Sequence, residues 1–163
     1  VYLSTSIKSL IKMELRYRKA KPSDMERCLD IRGITRDNSV PRDFLHTIGV
    51  NSEIWCPLIQ SEAFKGCVCE YNGVIIGFCF GEVKSAEILV LALHPEFENK
   101  GIGKELLLKV VETLKFSGAK KLWLATTSNP KLRAYGFYRY LGWSPTGTFV
   151  RNGDEILVLA EKK

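Results

Sequence analysis

Seven consecutive residues, Glu98-Asn99-Lys100-Gly101-Ile102-Gly103-Lys104, combine residue types that could hold an anion. They follow an apolar run, Ala86 to Leu93, and lead into a leucine-rich stretch, so the two glycines stand where a strand gives way to a helix. The first turn of a helix leaves its N–H groups unpaired and carries roughly half a positive charge, and glycine lets an anion approach that backbone closely. Two phosphate loops with known spacing fail here. A P-loop would need glycine at Glu98 and Ser or Thr at Glu105. A dinucleotide fingerprint would need glycine at Leu106. Read locally, the segment is explained equally well as an anion cradle or as a tight turn that needs glycine for its geometry.

Other reactive side chains offer less. The five cysteines, Cys28, Cys56, Cys67, Cys69 and Cys79, show no CxxC spacing, and the chain has two histidines, so a metal site is not expected. A thiol nucleophile at Cys56 or Cys79 lacks a partnering histidine pattern. His94 precedes Pro95 and reads as a turn residue. Cys67 and Cys69 sit two apart in a strand-like run, share one face, and are expected to pack as small apolar groups in a reducing, cytoplasmic compartment.

The elements that must position these residues belong to a chain of 163 residues, 45% hydrophobic and 26% charged, enough for one domain with its own core. The net charge of +6 is concentrated: residues 1–21 hold six bases and one acid, leaving 18 bases and 17 acids in residues 22–163. A groove tracking a phosphate backbone needs bases spread along a face, so nucleic acid is not expected as a partner. No apolar run approaches the ~20 residues of a membrane span, and no membrane partner is expected. Residues 1–12 lack the features of a secretory signal. They read as an extension, disordered or not native, ahead of Met13, with the domain over 13–163.

Along the domain, residues 14–20 alternate as a first strand. Ser23 and Glu26 have capping-box spacing ahead of a helix that Gly33 would stop. Residues 34–63, punctuated by Pro41 and Pro57, read as helical and partly irregular, lying over one side of a sheet. Asn72-Gly73 between two apolar runs predicts a type I′ hairpin. A buried strand, the helix over 101–117 and a second buried strand over 120–126 follow. Asn129-Pro130 reads as an N-cap opening a helix to about Leu141. A second hairpin turns at Arg151-Asn152-Gly153-Asp154. The order implies an α/β (mixed α+β) fold: one mixed, mostly antiparallel sheet of six to seven strands, with helices on both faces.

This order of elements, with two motifs, resembles the GNAT superfamily of N-acetyltransferases. Its pyrophosphate loop has the form [Q/R]-x-x-G-x-[G/A]; Gly101 and Gly103 fill the small positions, and Glu98 departs from the first. Asn129 to Trp143 resembles the family's N…A…Y…GF segment through Ala134, Tyr138, Gly142 and Trp143. The resemblance implies a single GNAT-like domain that takes acetyl-CoA and an amine acceptor. It assigns Leu91 and Leu93 to the pantetheine arm and the N–H groups of Asn99, Lys100, Gly101, Gly103 and Lys104 to the pyrophosphate. Asn129 would contact the pantetheine, although a plain N-cap explains it as well. Tyr138 is implied as the acid that protonates sulfur, and Glu87 as a base acting directly or through water. The acceptor would be met by residues 30–62 and 144–156, where acids and bases interleave and no charge preference emerges. Trp55 and Phe44 fit a pocket wall or a core equally. A non-catalytic acyl-CoA sensor is the competing expectation. Homodimers are common in the resembled family, and no residue here points to one.

Overall fold

The Asn72-Gly73 turn adopts the left-handed backbone its residue types favour, with φ of 50° and 76°. It joins β2 (Phe64–Tyr71) to β3 (Val74–Glu82), an antiparallel pair. The computed structural model describes residues 14–160, so the expected extension over residues 1–12 and Met13 lie outside the described residues. The remaining strands are β1 (Leu15–Lys19), β4 (Glu87–Leu93), β5 (Leu122–Thr126), β6 (Trp143–Phe149) and β7 (Glu155–Leu159). They form one seven-stranded sheet in the order β1-β2-β3-β4-β5-β7-β6. Every neighbouring pair is antiparallel except β4 and β5, which are parallel because a helix crosses between them.

That crossover is α4 (Ile102–Phe116), and it packs its apolar stripe on one face of the sheet. Leu106, Leu107, Val110, Val111 and Leu114 are buried there against Cys67, Cys69, Cys79, Leu122, Leu124 and Leu157. Cys67 and Cys69 thus share the α4 face as expected, while Val68 between them points into the opposite core. Burial pushes both thiols up to about 11, so they stay protonated and pack as apolar groups. All five cysteines are free.

The other face is covered by α1 (Met25–Arg32), the helix expected ahead of Gly33, and by α2 (Arg42–Thr47) and α3 (Ser52–Gln60), the helices expected within the irregular stretch. Trp55 of α3 meets Phe64 and Phe80 edge-on at centroid distances of 4.8 and 5.6 Å. The start of α1 is held by Arg18, which reaches Asp24 at 2.7 Å and Glu70 at 2.8 Å. Burial alone would raise the Asp24 pKa. Hydrogen bonds from Arg18 and from the Lys21 N–H outweigh it and hold this carboxyl below its usual range.

Two local expectations are corrected. Ser23 is not the N-cap of α1: residues Pro22–Asp24 form a 3-10 turn, and Asp24 accepts the Lys21 N–H at 2.7 Å because Arg18 fixes its carboxylate there. Glu26 turns away to Ser52 and Arg42, each at 2.6 Å. The last helix, α5 (Arg133–Tyr140), begins after Leu132 rather than after Asn129. The Asn129 side chain caps only its own turn, accepting the Lys131 N–H at 3.0 Å, and the Asn129 carbonyl accepts from Leu132. In the second hairpin, β6 starts at Trp143, well before the tip, and its register on β7 shifts between Pro145 and Phe149.

Candidate active site

The parallel junction at the middle of the sheet is incomplete. Only Glu87 and Trp123 register between β4 and β5, and beyond that point the two strands diverge into a fork. Hydrogen-bond parity fixes what the fork offers. The His94 N–H donates to the Ile76 carbonyl at 2.8 Å, and in that antiparallel register the pairing residues on β4 alternate. Ala92 and Val90 therefore spend their backbone groups on β3, and Leu91 and Leu93 turn theirs toward the fork. A bulge assists: Phe80 registers with Val90 and Gly81 with Ile88, so Leu89 is the extra residue that bends β4.

A cleft of about 1070 Å³ occupies this opening, and its walls come from both faces of the sheet, so it passes between β4 and β5. At one end lies the start of α4. Asn99 (φ 61°) and Gly101 (φ 79°) are both left-handed, a backbone that favours glycine at the N-cap itself. No side chain caps this helix, and its first internal bond is from the Glu105 N–H to the Gly101 carbonyl. The N–H groups of Gly101, Ile102, Gly103 and Lys104 are thus left without helical partners at the cleft. Such a terminus can bind an anion through backbone alone.

Glu98, the residue that departs from the motif, is neutralised by its surroundings. Arg36 pairs with it at 3.1 Å, and Arg133 of α5 pairs with it as well and reaches Asn99 Oδ1. The Arg133 N–H in turn donates to Asp37 at 3.4 Å. Three segments remote in sequence are thereby tied together across the cleft mouth. Neither arginine was singled out by the sequence, because nothing in the spacing of residues 36, 98 and 133 shows that they meet.

Tyr138 lies in the cleft wall from the α5 side, with its ring packed at 6.2 Å from Trp143 and 5.1 Å from Phe137. Its helix is anchored by Arg139, which pairs with buried Glu155 of β7 and stacks over Tyr135 at 3.6 Å. Burial raises the Tyr138 pKa, with Cys79 adding to the shift and Arg32 opposing it. The phenol is therefore protonated at neutral pH, the form in which an acid must begin.

Of the ten residues expected from sequence, Leu91, Leu93, Asn99, Gly101, Gly103, Lys104 and Tyr138 line this one cleft. Lys100 sits exposed at the turn's apex, and Asn129 is exposed in its own turn; neither is part of the wall. Glu87 stands at the closed end of the fork, half-buried, facing Glu82 across the β3–β4 pair and outside the wall. Burial raises its pKa and the like charge of Glu82 adds to this. Trp55 and Phe44 both line the cleft, joined by Arg32, Leu45 and Ile48. Among the described residues no group of His, Cys, Asp and Glu is arranged to hold a metal ion, and no helix is long and apolar enough to cross a membrane.

Comparison with known proteins agrees with this geometry. The family model described as "Acetyltransferase (GNAT) family" matches residues 31–143. Amino-acid acetyltransferase of Aeromonas salmonicida is 34% identical over 91 residues, covering 53% of this chain and 20% of that protein. An uncharacterized N-acetyltransferase of Chlorobaculum tepidum is 37% identical over 79 residues, 47% of each chain. The chain thus spans half or less of the length of these two relatives. Among solved structures, the PaiA N-acetyltransferase of Thermoplasma acidophilum in complex with coenzyme A superimposes with a TM-score of 0.75 at 22% identity, covering 90% of this chain and 99% of that one.

Proposed function

Because the chain belongs to the acetyltransferase (GNAT) family, we propose that it transfers the acetyl group of acetyl-CoA to a primary amine of a small molecule or peptide, in a ternary complex. The observation that carries the reading is the meeting of three features in one cleft: an uncapped helix N-terminus, an unpaired strand edge and a buried, protonated tyrosine.

The residues divide the work by chemistry. The N–H groups of Asn99 and of Gly101 to Lys104 receive the pyrophosphate, and the Lys104 side chain adds charge at the same end. Leu91 and Leu93 offer the pantetheine amides a strand to pair with. These contacts lay the thioester along the fork toward Tyr138. As the amine attacks the acetyl carbon and the carbon–sulfur bond breaks, Tyr138 gives its proton to the departing sulfur and recovers one from solvent.

The amine poses the second proton problem. With a pKa of ~10.4, only about 0.04% of an alkylamine is neutral at pH 7. Glu87 is the proposed base, and its place outside the cleft wall favours relay through water over direct contact. Its raised pKa brings a carboxylate closer to the working pH, which suits that task. The five free cysteines are in keeping with a cytoplasmic setting.

The competing reading is an acyl-CoA sensor with no turnover, and Tyr138→Phe separates the two. The phenyl ring keeps the packing on Trp143 and Phe137. Calorimetric titration with acetyl-CoA should give the same affinity for variant and parent. Thiol release with an amine acceptor should fall by about 10²–10⁴. Unchanged thiol release in the variant would remove Tyr138 from the chemistry. Micromolar acetyl-CoA binding without thiol release for any amine would favour the sensor.

A further inference from the structure

The arginines of the cleft are not equally employed. Arg36 and Arg133 are committed to Glu98 at the mouth. Arg32, the last residue of α1, lines the same cleft and makes no ion pair with any described residue. One guanidinium nitrogen, Nη1, donates to the Asn38 carbonyl and, at 3.5 Å, to Thr35 Oγ1. Nε and Nη2 have no partner among the described residues. Burial lowers the Arg32 pKa, and Tyr138 is near enough to act on it in the opposite direction. Arg32 is half-buried at the cleft with two donors unpaired among the described residues, and its planar fork fits a carboxylate.

The wall beside Arg32 has a different character. Leu29, Phe44, Leu45, Ile48, Val50 and Trp55 line it. Phe44 of α2 and Ile48 just after it are each 57% exposed, so this part of the apolar wall is open to a ligand. One cation set in an apolar wall next to the proposed acid calls for a ligand that is anionic at one point and greasy elsewhere.

We infer that the acceptor is a free α-amino acid with an apolar side chain, its carboxylate paired with Arg32 and its side chain laid against Phe44, Ile48 and Trp55. The inference rests on the acetyl-transfer reading of this site. It also eases the amine's proton problem. In a free amino acid the carboxylate stabilises its own ammonium; pairing that carboxylate with Arg32 removes the stabilisation and brings a positive charge close, and both effects favour the neutral amine. A peptide N-terminus or simple alkylamine brings no anion and meets Arg32 with like charge.

The test uses the purified full chain with acetyl-CoA, following thiol release for leucine and phenylalanine against leucinamide and phenylalaninamide, with serine and glutamate as polar acids. The free apolar acids should exceed their amides in kcat/KM by about tenfold to a hundredfold, the range expected of a charge-assisted pair. Arg32→Gln should bring that ratio near one while leaving calorimetric acetyl-CoA affinity unchanged. The acid-to-amide comparison on the parent protein stands by itself if the variant fails to fold. Amides acetylated as well as acids, polar acids preferred, or acetyl-CoA bound with no apolar amino acid acetylated would each overturn the inference. No binding of acetyl-CoA at all would bring down the acetyl-transfer reading, and this inference with it.

Discussion

The two ends of the cleft are built on different principles. At the loop end the proposed binding groups are the backbone N–H groups of Asn99 and of Gly101 to Lys104, and their geometry follows from two left-handed residues and an uncapped helix. At the end proposed for the acceptor the lining groups are side chains from α1, α2 and α3, brought together by packing on the sheet rather than by adjacency. A backbone site constrains residue type only where the chain must turn, and so it recurs with many different side chains. A side-chain site changes with every substitution. One fold can therefore hold its co-substrate constant while its acceptor varies.

The largest effect on acetyl-CoA binding should come from the backbone end. Gly101 holds φ at 79° at the N-cap, and a side chain added there would meet nothing within 4 Å. Gly101→Val therefore tests conformation without crowding. A β-branched residue resists this backbone at a cost of order 1–3 kcal/mol. Calorimetric acetyl-CoA affinity should weaken by about tenfold to a hundredfold. The KM for the acceptor at saturating acetyl-CoA should stay within about twofold. An equal loss in both would show that the two ends are not independent.

A smaller effect is expected at the closed end of the fork. Glu87 must be ionised to act as a base, and its raised pKa places the acid limb of the kcat/KM profile above the ordinary carboxylate range. Glu82→Gln removes the like charge across the strand pair, so that limb should move to lower pH. Glu87→Gln should flatten the limb and lower kcat by about tenfold, less than the 10²–10⁴ of a base in direct contact. Stability should respond in the opposite sense. The fold favours protonated Glu87, so its contribution is present below the unfolded pKa and lost as pH rises through the folded one. At neutral pH Glu87→Gln should therefore raise the thermal midpoint while it lowers turnover. A variant less stable at neutral pH would contradict the burial argument.

The same contrast explains what the sequence made legible. The fold was readable because its signals are local: Asn72-Gly73 sets a hairpin, the spacing of Leu107, Val110, Val111 and Leu114 sets the face of α4, and the unalternating run from Ile88 to Leu93 sets a strand buried on both sides. Gly101 and Gly103 marked the loop for the same reason. Local signals also misled. Asn129-Pro130 has the residue types of a helix start, yet Asn129 closes a separate turn and the helix waits for Leu132. Ser23 lost its cap role to Asp24 because Arg18 and Glu70, supplied by two strands, form a stronger arrangement around the latter. Arg32 and Arg36 fell within the stretch expected to meet the acceptor but stood out from its other charges no more than Arg133 did, since each gains its meaning from a neighbour that the fold delivers, the nearest of these being Asn38 and the farthest Glu98.

Glu98 offers the finest test of the comparison. An acid beside a pyrophosphate site should hinder binding, but here its charge is matched by Arg36 and Arg133, both of which are more exposed than the carboxylate they hold. Exposed ion pairs contribute little net stability, roughly 0–1 kcal/mol, so their partners can be exchanged at small cost. Glu98→Gln removes the acid and releases two guanidiniums beside the uncapped start of α4. Acetyl-CoA affinity should then rise, by no more than about fivefold, and the gain should shrink as salt is raised, because freed surface charges are screened. A fall in affinity would mean that Glu98 holds the mouth in shape rather than burdening it with charge. In that case Arg133→Gln should cost as much as Glu98→Gln, and the loop end would depend on side chains in the way the acceptor end does.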